Sequence, residues 1–248
     1  MIKMEQLTKQ YETTVALQSL DLEIRDGEIF GLIGHNGAGK TTTISLLTSM
    51  IHATSGTIYI DGREITTHRD EIKRMIGYVP DSPDIFLNLT AKEYWDFLAK
   101  IYEIPKETAN ERIAELSHLF DMDTKWNDTI ESFSHGMRQK VVIIGSLVSN
   151  PDIWILDEPL TGLDPQASYD LKQLMKRYAS GGHTVLFSTH MLSVAEEVCD
   201  RIAILKKGQL IFVGTMEMLR EQYEGENLEE IYLRLAGNHG EESQHEVV

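Results

Sequence analysis

Residues 34–41 place three glycines ahead of a lysine and a threonine, and they follow a short apolar run at residues 29–33. Such a run is typical of a buried strand, and a helix is expected to follow. Backbone N–H groups of a glycine-rich turn can point at phosphate oxygens, and the helix N-terminus adds positive partial charge. Lys40 would reach the β- and γ-phosphates of a nucleotide, and the Thr41 hydroxyl would bind Mg²⁺. The pattern predicts a phosphate-binding loop (P-loop).

The P-loop defines a first set of candidate nucleotide-binding residues. The alternative, a glycine-rich strand-to-helix turn without a ligand, is disfavoured by the flanking strand and helix. His35 is more simply a member of the loop than a catalyst. The residues expected to contact nucleotide here are Gly34, His35, Asn36, Gly37, Ala38, Gly39, Lys40, Thr41 and Thr42.

A second apolar strand, residues 153–156, ends in the acidic pair Asp157 and Glu158. A buried strand tip beside a P-loop is suited to hold Mg²⁺, usually through water, and we assign this role to Asp157. Glu158 could accept a proton from the attacking water. Strands often end in acids that only meet solvent or cap a helix, so this pattern gains its meaning from the P-loop upstream.

Strands alternate with helices along the chain, which predicts an α/β fold with a mostly parallel sheet and helices packed on it. Thr90 and Glu93 fit a capping box at the start of a helical stretch that continues to about residue 150. Asp164 followed by Pro165 predicts another helix start. Residues 202–213 have the pattern of a terminal hairpin.

We therefore expect four consecutive parts. The first, residues 1–82, is mainly strand, and the acidic last part contains a helical pattern at 228–235 and a disordered tail at 237–248. The predicted parts are 1–82, the first half of an ATP-binding core; 83–150, a helical insertion; 151–214, the second half of the core; and 215–248, the C-terminal extension.

Composition narrows the possible functions. The 248 residues carry 23 basic and 39 acidic side chains, a formal charge of −16, which argues against nucleic acid as a partner. The single Cys199 excludes an intrachain disulfide and a two-cysteine metal site. No signal peptide pattern and no stretch of about 20 apolar residues is present. We expect a cytoplasmic protein.

Four more segments stand in a fixed order around the P-loop and the acidic strand end. Tyr11 precedes the P-loop, and the others are Phe133-Ser134-His135-Gly136-Met137-Arg138-Gln139, Leu160-Thr161-Gly162-Leu163-Asp164 and Ser188-Thr189-His190. Together, the six motifs resemble those of the ATP-binding subunits of ABC transporters, over about residues 2–235. The last three look like the signature segment, the D-loop and the segment with the switch histidine of that family.

The resemblance implies a fold and a chemistry. The fold is a P-loop NTPase (RecA-like) core with an N-terminal antiparallel β part and an inserted α-helical subdomain. Two subunits would face head to tail, as a homodimer or heterodimer, with each ATP between one P-loop and the partner's signature segment. The resemblance implies that Tyr11 packs against adenine and that Ser134 and Gly136 contact the γ-phosphate from across the interface. It implies that His190 contacts the γ-phosphate and holds the attacking water and Glu158 in position. Asp164 would couple the two sites.

The sequence departs from the family pattern at two places. His135 and Met137 replace the commoner Gly and Gln of the signature segment, while Ser134 and Gly136 remain. Asp81 stands where the family usually has the Gln of the Q-loop, and no Gln occurs between Gln18 and Gln139. We expect Asp81 to lie outside the first shell of Mg²⁺ and to serve docking to a membrane partner, with a solvated acid of no specific role as the alternative.

The resemblance predicts an ATPase peripheral to the inner face of the cell membrane, bound to a separate permease through the loop from Asp81 to Leu89. The relaxed signature, Asp81 and the acidic C-terminal helix favour export. Two other classes stay open: an ABC protein acting on ribosomes or DNA, and a nucleotide-sensing regulatory subunit that does not hydrolyse ATP. The first usually has paired cassettes or a long coiled-coil insertion, and intact Glu158 and His190 disfavour the second.

Overall fold

The computed structural model of the chain describes residues 1–223, 230, 231 and 234. Within this part the strands are β1 (Ile2–Tyr11), β2 (Thr14–Ile24), β3 (Ile29–Ile33), β4 (Ser55–Ile60), β5 (Arg63–Glu64), β6 (Ile76–Val79), β7 (Ile153–Leu156), β8 (Thr184–Thr189), β9 (Arg201–Lys206) and β10 (Gln209–Gly214). The α-helices are α1 (Lys40–Leu47), α2 (Arg69–Met75), α3 (Ala91–Ile101), α4 (Lys106–Leu119), α5 (His135–Leu147), α6 (Pro165–Ser180), α7 (Leu192–Val198) and α8 (Met216–Gln222). A single 3₁₀ turn, Ile130–Ser132, precedes α5.

The strands form two sheets. Six strands lie in the order β10-β9-β3-β8-β7-β6, and all neighbours are parallel except β10, which pairs antiparallel with β9. The other four form an antiparallel sheet in the order β2-β1-β4-β5. The predicted mostly parallel sheet is confirmed. Because parallel strands end at one edge, the loops after β9, β3, β8, β7 and β6 emerge side by side in that order.

The central sheet is buried on both faces, which explains its continuous apolar runs. In β7, Ile153 and Ile155 pack into the core shared with the antiparallel sheet and α1. The alternate residues Trp154 and Leu156 pack into the other core, built with α3, α5 and α6. The period of two along the strand therefore sends successive side chains into two different layers, and the loop after β7 is held from both sides.

The helix starts follow their local sequence signals. Thr90 caps α3 in a full capping box with Glu93, and Asp164 caps α6 by accepting a hydrogen bond from the backbone N–H of Ala167. Both predicted starts are confirmed. The stretch 1–82, expected to be mainly strand, also contains the seven-residue helix α2, whose single buried residue Ile72 is too little for a visible helical period.

The C-terminal predictions lie almost wholly outside the described residues, and the division of the chain into four parts stays a prediction. Helices α3, α4 and α5 do fall within 83–150, and strands β7 to β10 follow them. Among the described residues, no helix has the length and apolarity needed to cross a membrane.

Candidate functional site

The P-loop connects β3 to α1 at the edge where the parallel strands end. Gly39 has φ of +108°, a conformation that side chains disfavour, and α1 begins directly after it at Lys40. The first backbone N–H groups of α1 therefore face the loop rather than a capping side chain, since no side chain caps this helix. A helix start of this kind can bind an anion.

Lys40 extends back across the loop instead of into solvent. Its ammonium donates to the Gly34 carbonyl at 2.6 Å and lies 3.1 Å from Oε1 of Glu158, and its side chain is only 6% exposed. A buried cation next to open backbone donors is suited to phosphate oxygens. The structure thus joins the P-loop and the end of β7, which are far apart in the sequence, through one ion pair.

The ends of β7 and β8 form a hydrogen-bonded cluster. The Ser188 hydroxyl donates to Oδ1 of Asp157 at 2.5 Å and accepts from the backbone N–H of Glu158 at 2.9 Å. Nδ1 of His190 lies 3.0 Å from Oε2 of Glu158. Glu158 has φ of +46°, an uncommon backbone conformation for a non-glycine residue, and such strain concentrates at functional sites.

Asp157 is fully buried, and its Oδ2 atom has no hydrogen-bond partner among the described residues. Burial raises the pKa of its carboxyl above the usual range, hydrogen bonds from the Ser188 and Thr41 hydroxyls oppose that rise, and the nearby charges of Asp81 and Glu158 add to it. A buried carboxylate oxygen without a donor is costly unless a cation balances it.

Asp157 and Thr41 fit a bound Mg²⁺. In nucleotide sites this ion takes only one or two protein oxygens and completes its shell with phosphate and water. No group of three or more His, Cys, Asp or Glu side chains in the described ranges could hold a metal alone. The side-chain oxygens of Asp157 and Thr41 suffice for a site in which phosphate and water supply the other ligands of Mg²⁺.

Lys40, Thr41, Glu158 and His190 border a cleft of about 790 Å³. From the predicted set, its lining contains His35, Asn36, Gly37, Gly39, Lys40, Thr41, Thr42, Asp81, Glu158 and His190. Asp81 is exposed at the start of the loop after β6, and its charge contributes to the raised pKa of Asp157. Two carboxylates, those of Asp81 and Glu158, therefore line the cleft, and the carboxylate of Asp157 is buried next to Glu158 in the chain.

Seven predicted residues lie outside this lining: the buried Gly34, Ala38 and Asp157, and the four residues Tyr11, Ser134, Asp164 and Gly136. Tyr11 is 45% exposed at the end of β1, with the Lys9 ammonium 4.8 Å from its ring centre. Ser134 caps α5 by accepting from the Met137 N–H at 3.4 Å. The carboxylate of Asp164 is used within the chain, at the cap of α6 and in an ion pair of 3.0 Å with Lys140.

Gly136, also outside the lining, contacts the D-loop of its own chain. A Cβ atom at this position would lie 2.5 Å from the Gly162 carbonyl oxygen, so only glycine fits without a backbone shift. The signature segment and the D-loop are in direct backbone contact, which their separation in sequence did not indicate.

The sequence reasoning missed the buried Ser188, which supports the site from behind, and several residues of the cleft wall. Ser188 was named within a motif without a role, although a hydroxyl at the end of an apolar strand is a usable indication of a buried polar contact. Thr161 of the wall lies within the D-loop motif, which suggests a role only for Asp164. The other wall residues, Thr14, Val15, Ala16 and Lys207, carry no sequence pattern that would have identified them.

A parallel sheet with a P-loop after one strand and an acidic pair at the end of another, flanked by an antiparallel sheet and helices, defines a P-loop NTPase. Residues 17–161 match the family model described as "ABC transporter". The chain belongs to the ABC transporter family, as an ATP-binding subunit with ATPase activity. The predicted fold class and family are confirmed.

Known relatives match along nearly the whole chain. The linearmycin resistance ATP-binding protein LnrL of Bacillus subtilis (strain 168) is 33% identical over 237 residues, which are 96% of this chain and 76% of LnrL. A solved ATP-binding subunit of an ABC transporter gives a TM-score of 0.89 at 31% identity and covers 94% of this chain and 98% of its own. The ATP-binding cassette MJ0796, a dimer in a post-hydrolysis state with ADP and Pi, gives 0.80 at 28% identity, covering 87% and 99%.

Proposed function

We propose that this protein hydrolyses MgATP as one of two facing subunits and thereby drives export through a separate membrane permease. The observation that carries the proposal is the joined cluster of Lys40, Glu158 and His190 beside the buried Asp157. It brings a phosphate-binding cation, a candidate base and a candidate metal ligand to one cleft, as hydrolysis of a phosphoanhydride requires.

The chain's own residues divide the chemistry between them. Lys40 and the backbone N–H groups at the start of α1 bind phosphate oxygens, and Glu158 accepts the proton of the attacking water. His190 holds the Glu158 carboxylate through Oε2, leaving the orientation of that carboxylate fixed from both sides by His190 and Lys40. Thr41 and Asp157 would hold Mg²⁺, which neutralises charge on the phosphate oxygens when bound.

A second subunit supplies the missing part of each site. Ser134 and His135 are exposed and lie outside the cleft of their own chain, so they are available to a facing copy. The similar cassette MJ0796 is a dimer in the presence of ADP and Pi. We infer that the N-terminus of α5, capped by Ser134, meets the γ-phosphate bound by the partner, because a helix start favours an anion.

The permease contact is proposed at the loop from Asp81 to Leu89 and the adjoining face of α3. Phe86, Phe97 and Ile101 are between 40% and 51% exposed, and the Phe86 and Phe97 ring centres are 5.5 Å apart. Clustered exposed apolar side chains are typical of a protein contact. The loop also begins at Asp81 on the cleft wall, so a docked permease would be linked to the nucleotide site.

The proposed direction is export, from the inner face of the membrane. LnrL is named for resistance to linearmycin, and moving a toxic compound outward is the simplest way in which a transporter confers resistance. The presence of Asp81 where the family usually has Gln, and the acidic composition beyond residue 215, also favour export, as argued from the resemblance above.

The experiment compares the wild-type chain with Phe86→Ser in a host that also expresses the permease. We expect wild type to co-purify with an integral membrane protein from detergent-solubilised membranes, and its ATPase rate to rise in that complex. Phe86→Ser should keep the rate of the isolated subunit and lose both the membrane protein and the stimulation.

Ile211→Ser is the matched control, because Ile211 is 40% exposed on the edge strand β10, on a different part of the structure. It should retain complex and stimulation. The direction of transport would be measured in proteoliposomes of the purified complex, with ATP supplied either inside or outside. Export predicts that substrate moves away from the side that holds the ATP. A wild-type chain that hydrolyses ATP but never associates with a membrane protein contradicts the proposed transport role.

A further inference from the structure

The tight turn between β9 and β10 brings Lys207 to the wall of the nucleotide cleft. The cleft wall beside it includes Val15 and Ala16 of β2 together with the P-loop glycines. None of the six family motifs contains Lys207, and its side chain has no carboxylate partner among the described residues. The position of this turn therefore places an exposed, unpaired cation on the wall of the cleft.

The turn is fixed to the P-loop and to β2. The Gly208 N–H donates to the Ala38 carbonyl at 2.9 Å, and the Gly208 carbonyl accepts from the Gln18 N–H at 2.8 Å. Both turn residues have positive φ, +48° for Lys207 and +78° for Gly208, as in a two-residue type I′ hairpin. Asn is favoured over Lys at the first of these positions, so the turn itself gives no reason for lysine.

The strand order tells which part of the nucleotide Lys207 faces. Across the sheet edge, the loop after β9 lies on one side of the P-loop, and the loops after β8, β7 and β6 lie on the other. His190, Glu158 and Asp81 follow those last three strands, so the reacting γ-phosphate belongs on their side. The nucleoside end of the molecule then lies on the side of β9 and β2.

We propose that the Lys207 ammonium binds the phosphate nearest the nucleoside, the α-phosphate, which ATP and ADP share. This inference rests on the proposed nucleotide site and adds a binding residue to it. Val15, 45% exposed beside this turn, offers an apolar surface for the nucleoside next to the cation. A cationic group on this side retains contact with the nucleotide after the γ-phosphate has left.

The test is equilibrium binding of ATP and of ADP, measured by calorimetry without Mg²⁺, for wild type and Lys207→Asn. Asn-Gly is the preferred sequence for this turn, so the variant removes the charge without harming the fold. We expect Lys207→Asn to weaken ATP and ADP binding by the same factor, about three- to tenfold, and to reduce the dependence of binding on salt. Lys207→Arg should restore most of the affinity.

Lys206→Gln is the matched control, because it removes a neighbouring charge that does not line the cleft. It should leave both affinities unchanged. Unchanged affinities in Lys207→Asn, or a loss confined to ATP, would overturn the assignment. Failure of the wild-type chain to bind either nucleotide would instead refute the proposed site itself.

Discussion

The hydroxyl of Ser188 donates to Oδ1 of Asp157 at 2.5 Å. This bond occupies one oxygen of the buried carboxylate and leaves Oδ2 as the oxygen without a partner in the described part of the chain. The same hydroxyl accepts from the Glu158 N–H, so one side chain orients two adjacent acids that we assign to different tasks. Orienting groups behind a metal ligand commonly decide its affinity.

Ser188→Ala should raise the Mg²⁺ concentration needed for half-maximal ATPase activity by about 10- to 100-fold, the usual effect of losing such a contact. A magnesium titration of the ATPase rate measures it. Ser146→Ala is the control, since Ser146 is also buried and hydrogen-bonded, to Trp154, but lies away from the cleft. Equal magnesium requirements in the two variants would remove Ser188 from the site.

Glu158→Gln should bind MgATP and slow turnover by about 10²- to 10⁴-fold, because an amide cannot take the proton. The change corresponds to about 3–5 kcal/mol of barrier. The ATP-bound dimer should then accumulate, which size-exclusion chromatography with and without ATP detects. Turnover at the wild-type rate would exclude Glu158 as the base.

Ser134→Arg and Lys40→Ala test whether the sites are shared between subunits. Lys40→Ala should weaken ATP binding directly, because it removes a charge from the phosphates. Ser134→Arg should abolish hydrolysis with binding by the monomer nearly intact. A mixed dimer carries both lesions in one site and none in the other, so mixing the two inactive proteins should restore part of the ATPase activity. Continued inactivity in a proven heterodimer would contradict independent shared sites.

Asp81→Asn probes the position where the family usually has glutamine. If Asp81 lies outside the first metal shell, the variant should change the ATPase rate of the isolated subunit by less than about threefold, under 1 kcal/mol. Permease-stimulated ATPase activity should fall clearly, since the docking loop begins at this residue. A large change in the magnesium requirement of the isolated subunit would place Asp81 at the metal instead.

Two substitutions of Asp164 distinguish a structural role of its side chain from a role in coupling the two nucleotide sites. Asp164→Ala should destabilise the protein by about 1 kcal/mol through loss of the α6 cap, and Asp164→Ser should retain the cap. The Ala167 N–H and Lys140 lower the pKa of the Asp164 carboxyl. Its stabilisation is therefore complete above the ordinary pKa of aspartate and is lost as pH falls through the lowered value. Denaturant unfolding at several pH values measures the difference.

If Asp164→Ser also loses the cooperative dependence of the ATPase rate on ATP while its stability is retained, the carboxylate couples the two sites. Unaltered cooperativity would leave Asp164 with the cap and the Lys140 ion pair alone.

Local patterns were sufficient for the parts of this protein that depend on neighbours in the chain. The buried strand before Gly34, the capping box at Thr90 and the cap at Asp164 are all encoded within a few residues. Contacts formed by the sheet order were not predictable in this way. Lys207 reaches the cleft only because β9 lies beside β3, and Ser188 meets Asp157 only because β8 lies beside β7.

The contact between Gly136 and the Gly162 carbonyl has a consequence for genetics. A screen for inactive mutants would recover substitutions at Gly136 whether or not its N–H ever touches a nucleotide, since any side chain there displaces the D-loop backbone. A requirement for glycine at this position is therefore explained by packing alone. Only a compensating change near Gly162 that rescues folding without activity would isolate the contribution of Gly136 to ATP hydrolysis.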